Sequence, residues 1–78
     1  MVAFPSMKNG MKRFVLHRSE DVSGTSGIGT VAEGVEFTSG TVALTWLSSL
    51  ACMAFYGNIK EVEAIHGHEG RTVVKWLD

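Results

Sequence analysis

Apolar and polar residues alternate along much of the chain, and this pattern predicts β-strands. In residues 12–17 the alternation puts Phe14 and Leu16 on one face of a strand. Similar alternation predicts a second strand over residues 29–37 and a third over residues 42–47. The second and third strands are close enough in sequence to form a hairpin.

Two glycines refine the predicted hairpin. Gly40 lies in the short polar stretch between the two strands, where a tight turn needs a residue that accepts positive φ. Gly34 lies inside the second strand, and a glycine in that place predicts a bulge or a sharp bend.

The next stretch is compatible with two structures. Leucine and alanine residues recur there at helical spacing, which would make residues 43–55 a short buried helix. We prefer a turn followed by a fourth strand over residues 52–56. The neighbouring segments are β, and Gly57 ends the apolar run.

A short helical turn is predicted before the last strand. Asn58 can cap it, and Glu61 stands at the capping-box position. Three apolar residues then recur at every third position, as in a 3₁₀-like turn, and residues 71–77 alternate again. This order of elements predicts a mostly β fold: a small five-stranded, SH3-like, partly open barrel over residues 12–78, after a flexible leader of residues 1–11.

The length of 78 residues fits one domain with a small core. Such a core leaves little room for an enclosed substrate cavity. The predicted core consists of the large apolar residues Phe14, Leu16, Val31, Val35, Phe37, Val42, Leu44, Trp46, Phe55, Val62, Ile65, Val73 and Trp76.

Cys52 is the only cysteine, and its apolar neighbours predict a buried, unreactive thiol. The first residues lack the charged start and long apolar segment of a secretory signal. The longest apolar run, residues 42–56, contains polar residues and is too short to cross a bilayer. We therefore expect a cytoplasmic protein without a membrane partner.

Two motifs suggest a cofactor or a metal, but neither is complete. The glycine-rich segment 23–29 is similar to a dinucleotide-binding loop, yet the valines and glycine that follow it make a poor helix. His17, His66 and His68 have no spacing that completes a metal site. We expect no cofactor and no metal.

The sequence favours binding over catalysis. No serine, histidine and acid form a recognisable catalytic group, so we expect a protein that is not an enzyme. Our preferred function is an interaction module that binds another protein. Aromatic and acidic side chains near the predicted groove are the candidate contacts. They are Glu20, Asp21, Tyr56, His66 and His68.

Two alternatives remain open. Basic residues on the first and last strands could bind nucleic acid, although the sequence pI of about 6.3 is low for such a protein. These residues are Arg13, Arg18, Arg71 and Lys75. The other alternative is self-assembly into a homo-oligomer, because small sheets have exposed edges.

Two stretches carry a resemblance to a known group. They are GTVAEGVEFTSGTV, residues 29–42, and VEAIHGHEG, residues 62–70. Together they resemble small uncharacterised proteins of bacteria, archaea and their viruses, over residues 12–76. The resemblance implies a small stand-alone protein, with a viral origin as one option. In that case the preferred interaction module would be a viral factor that engages a host component. The resemblance implies no activity and no functional residue.

Overall fold

Five strands and one helix make up the part of the chain that the computed structural model describes, which is residues 10–19, 28–48, 52–67 and 70–78. In chain order the elements are β1 (Lys12–Arg18), β2 (Gly29–Glu36), β3 (Val42–Trp46), β4 (Met53–Tyr56), α1 (Ile59–His66) and β5 (Thr72–Trp76). The strands form one antiparallel sheet in the order β4-β3-β2-β1-β5.

The predicted mostly β fold, with five strands and a short helix, is confirmed. Among the described strands, however, β4 pairs only with β3 and β5 only with β1, so the sheet is open. An SH3-like barrel is therefore not confirmed. The preference for strand over helix in residues 43–55 agrees with β3 and β4.

The helix before β5 is longer than predicted and is α-helical. Asn58 has extended backbone angles, and its side-chain oxygen accepts a hydrogen bond from the Glu61 N–H at 3.0 Å. The Glu61 carboxylate accepts the N–H of Gly57 at 2.9 Å, one residue before the cap. The reciprocal cap predicted from the sequence thus starts a helix of eight residues.

The core lies between one face of the sheet, here called the inner face, and α1. The strand register puts Phe14, Gly34 and Leu44 side by side on the inner face. Val62 is the buried residue of α1. The buried apolar cluster consists of Phe14, Leu16, Val31, Ala32, Val42, Leu44 and Val62.

The bulge in β2 is not at Gly34. Leu16 pairs with Ala32, and the next residue of β1 pairs with Thr30, so Val31 is the extra residue. Gly34 instead makes room for an aromatic ring. A Cβ on Gly34 would lie 2.3 Å from Cζ of Phe14, so no larger residue fits without displacing the ring.

Several residues of the predicted core are exposed. The register turns Phe55 and Val73 toward the outer face of the sheet, on which no described helix packs. Trp76 lies on the inner face at the edge, where its ring packs against Phe14 with centroids 5.4 Å apart. The exposed fractions are 40% for Phe37, 71% for Phe55, 58% for Ile65, 41% for Val73 and 42% for Trp76.

Candidate functional site

Three aromatic side chains meet where α1 lies beside β3 and β4. The Tyr56 hydroxyl oxygen is 2.7 Å from Nε2 of His66. The His66 ring is edge-on to Trp46, with centroids 4.9 Å apart, and to Tyr56, with centroids 5.8 Å apart. All three side chains are half-buried. We call this set the aromatic cluster.

Two sequence patterns bring the side chains of the aromatic cluster together: alternation along the strands and helical spacing along α1. Trp46 and Tyr56 have the inner-face parity of β3 and β4, since Tyr56 pairs with Val42. His66 is the last residue of α1 and lies on the helix side that also carries Ile59 and Val62. The cap at Asn58 fixes where α1 begins, and two helical turns from Ile59 then place the imidazole of His66 on the same side of the helix.

The hydroxyl of Tyr56 stays protonated at neutral pH. Partial burial raises its pKa above the usual value of 10.0, and the nearby Cys52 raises the pKa further. The hydroxyl can donate to an unprotonated Nε2 of His66, or it can accept when that nitrogen carries the proton. The pair therefore holds together in either state of the imidazole.

The structure brings together two of the five side chains predicted to bind a protein. Tyr56 and His66 are hydrogen-bonded to each other. Glu20, Asp21 and His68 lie outside the described residues. Trp46 was assigned to the core, and the structure shows it half-buried and packed against the core cluster. Its contact with His66 links two distant segments, which strand alternation alone does not reveal.

The prediction of a buried thiol is wrong. Cys52 is exposed at the start of β4. Its carbonyl oxygen accepts a hydrogen bond from the N–H of Trp46 at 3.2 Å, which continues the β3–β4 pairing by one residue. The side chain has the parity of Tyr56, and it lies near the rim of the aromatic cluster.

The basic residues predicted for nucleic acid do not form one surface. Arg18 is 3% exposed and belongs to the inner face, where its Nε donates to the Thr72 hydroxyl at 2.9 Å. Arg13 is exposed on the outer face and forms a two-point ion pair with Asp78, at 2.7 and 3.0 Å. These hydrogen bonds lower the pKa of Asp78 to about 2.

The other two cations lie on or next to β5. Lys75 is exposed and pairs with Val15 across the outer face. Arg71 precedes β5, and its carbonyl oxygen accepts the N–H and the hydroxyl of Ser19 at 2.8 and 3.1 Å. Because Arg18 is buried on the opposite face, the four residues cannot act as one stripe.

The described residues form neither a metal-binding cluster nor a membrane-spanning helix. No group of three or more His, Cys, Asp or Glu side chains there could hold a metal ion. No helix in that part of the chain is long and apolar enough to cross a membrane. A shallow groove of about 220 Å³ lies on the outer face, and Val35, Ala43 and Met53 are among its lining residues.

Comparison with known proteins gives one match. A family model described as Acb5 phage protein matches residues 11–78. Neither the curated proteins nor the solved structures include a significant match.

Proposed function

The chain belongs to the Acb5 phage protein family, and is therefore a viral protein; we propose that it acts as a non-enzymatic interaction module that binds another protein. The proposed contact surface is the aromatic cluster of Trp46, Tyr56 and His66. The observation that carries the proposal is the Tyr56–His66 hydrogen bond of 2.7 Å between two half-buried rings.

The aromatic cluster has the chemistry of a protein-binding surface. Aromatic side chains are enriched at such interfaces because a rigid ring buries much area at a small entropy cost. Next to the cluster the chain exposes Ile65, which precedes His66, and Cys52 at the start of β4. The rings therefore lie beside further exposed apolar atoms.

The charge near the cluster favours a partner with a basic side chain. Glu63 is exposed on α1 and lies one helical turn before His66. A lysine or arginine of the partner could reach this carboxylate while an apolar residue packs on the rings. We therefore propose a partner segment that combines one basic and one apolar side chain.

The protonation state of Tyr56 supports binding rather than covalent chemistry. Its pKa is raised by burial, so the phenolate that a nucleophilic or basic role requires is scarce at neutral pH. A neutral hydroxyl next to an imidazole is well suited to exchange hydrogen bonds with a partner.

The test is a pull-down with the tagged full chain from a lysate of phage-infected host cells, with and without nuclease. A candidate partner is accepted only if its capture depends on the cluster. We expect Tyr56→Phe, which loses one hydrogen bond, to weaken binding about fivefold. We expect His66→Ala, which removes the central ring, to weaken it at least about tenfold.

Lys75→Ala is the control, because Lys75 is exposed on the outer face and its loss should leave binding unchanged. Circular dichroism of each variant checks that the fold is kept. Equal capture by all variants would overturn the proposal. Capture that disappears with nuclease would overturn it in favour of nucleic-acid binding.

A further inference from the structure

We propose that β4 is an assembly edge, through which two copies of this chain pair their β4 strands antiparallel about a two-fold axis at Ala54. The product would be one continuous sheet of ten strands. The inference uses the backbone edge and the outer face of β4. It does not depend on the aromatic cluster, which lies on the inner face.

The hydrogen-bonding pattern shows which backbone groups are directed to the edge. In an antiparallel pair, alternate residues direct both their N–H and C=O groups toward the neighbouring strand. The N–H of Trp46 donates to the carbonyl of Cys52, so Ala54 and Tyr56 also face β3. The N–H and C=O groups of Met53 and Phe55 therefore face away from β3, where no described strand lies.

The two edges of the sheet differ in chemistry. Natural proteins protect an edge strand with a charged residue, above all lysine, because an unprotected edge pairs with other strands. β5 carries Lys75, but the sequence of β4 is Met-Ala-Phe-Tyr and contains no charge. Its outward side chains, Met53 and Phe55, are 62% and 71% exposed. Of the two edges, β4 is the one open to pairing.

The sequence of β4 is complementary to itself in one antiparallel register. With the axis at Ala54, Phe55 lies opposite Met53 of the second copy, and the converse pair forms on the other side. Each pair would exchange two backbone hydrogen bonds, and each would place a thioether beside an aromatic ring, a favourable contact.

Ala54, the residue on the proposed two-fold axis, also leaves room for a second copy. Ala54 and its equivalent would form a non-hydrogen-bonded pair, in which the Cα atoms come within about 4.5 Å. The methyl groups of alanine are small enough for that distance. Since β4 contains no charged residue, pairing two β4 strands brings no like charges together along them.

The first test is the molar mass of the full chain by light scattering over a range of concentrations. We expect the mass to rise from 8.4 kDa toward twice that value. Phe55→Lys and Met53→Lys, which place a lysine on the β4 edge, should hold the protein at one chain. Val73→Lys is the matched control, because Val73 is 41% exposed on the outer face of the other edge.

The second test uses a disulfide bond between two copies to check the proposed register. In a Cys52→Ser background, Ala54→Cys should form a disulfide between copies under mild oxidation, because the Cα distance of about 4.5 Å suits one. Val73→Cys in the same background should remain monomeric on a non-reducing gel.

Three results would overturn the inference. The first is a single-chain mass at every concentration. The second is a dimer that survives both β4 lysine variants. The third is a dimer that Val73→Lys abolishes, which would assign the contact to β5. Circular dichroism of each variant should show an unchanged fold, in which case a monomeric mass of a β4 variant reports the loss of the contact.

Discussion

Gly34 and Phe14 fit closely against each other in the sheet. The ring of Phe14 lies over the glycine, in the space that a side chain on β2 would occupy. An added Cβ would also lie 2.9 Å from the carbonyl oxygen of Ala43, which is fixed in the β3 backbone. Neither the ring nor the backbone can move away without disturbing the core.

Gly34→Ala is therefore expected to lower the free energy of unfolding by about 1–3 kcal/mol, the usual cost of overpacking a core. Denaturant unfolding followed by circular dichroism measures it. Gly10→Ala is the control, since its Cβ would meet Thr38 at an ordinary 3.6 Å. Equal stability of the two variants would show that the ring does not require the glycine.

The ion pair of Arg13 and Asp78 gives a pH dependence with a defined direction. The pKa of Asp78 is lowered from 3.8 to about 2, so the folded state binds its proton less readily than the unfolded chain does. The stabilisation is complete above pH 4 and is lost as the pH falls through about 2. NMR titration of the Asp78 carboxyl should show the low midpoint, and Arg13→Gln should return it to near 3.8. An unchanged midpoint in Arg13→Gln would contradict this cause.

The helix α1 depends on its N-terminal cap. Asn58→Ala removes the oxygen that accepts the Glu61 N–H and should lower the free energy of unfolding by about 1 kcal/mol. Asn58→Asp keeps an acceptor and should cost less. Thermal unfolding of the two variants gives the comparison. The result that would contradict the role of the cap is an alanine variant as stable as the aspartate variant.

The sequence predicts the elements better than it predicts their packing. Alternation located the strands, and the Asn58 and Glu61 pattern located the start of α1. The faces were harder to predict. Phe55 and Val73 are apolar enough for a core, but the register puts them on the outer face. The face that α1 covers becomes the core. Alternation within a strand separates its two faces but does not show which of them the helix will cover.

For the candidate site, too, the sequence predicts individual residues better than it predicts the contacts between them. The sequence points to Tyr56 from its place at the end of a predicted strand and to His66 from its place in the predicted turn after the helical segment. Their hydrogen bond depends on how α1 lies against β4, so it could not be derived from spacing. For Arg18 the prediction of an accessible cation was wrong. A cation at the end of a strand is usually solvated, but β1 lies between β2 and β5, and Arg18 on its inner face is buried despite its charge.

At the scale of the whole molecule, stability depends on one helix covering one face of an open sheet. Val62 is the fully buried residue of α1. Val62→Ala removes two methyl groups and should lower the free energy of unfolding by about 2 kcal/mol, since each buried carbon contributes about 0.8 kcal/mol and a cavity adds to the loss.

Ile65→Ala is the matched control. Because Ile65 is 58% exposed on the same helix, its truncation should lower the free energy of unfolding only slightly. Denaturant unfolding should show one cooperative transition for both variants, with only the Val62 variant shifted. A Val62 variant that loses the helix signal alone, with the sheet transition unmoved, would show that α1 does not contribute to a shared core.

The pairing of β1 with β5 also has a consequence for how the protein is made. Among the described strands, β1 leaves the ribosome first, yet it pairs with β5, which leaves last, and Phe14 lies opposite Trp76. The hairpins of β1 to β4 can form during translation, because their contacts are local. The Trp76 side of Phe14 is covered only when β5 has emerged. A chain that lacked β5 would have β1 as an edge strand and would leave one side of Phe14 open to the proteases of the host cell.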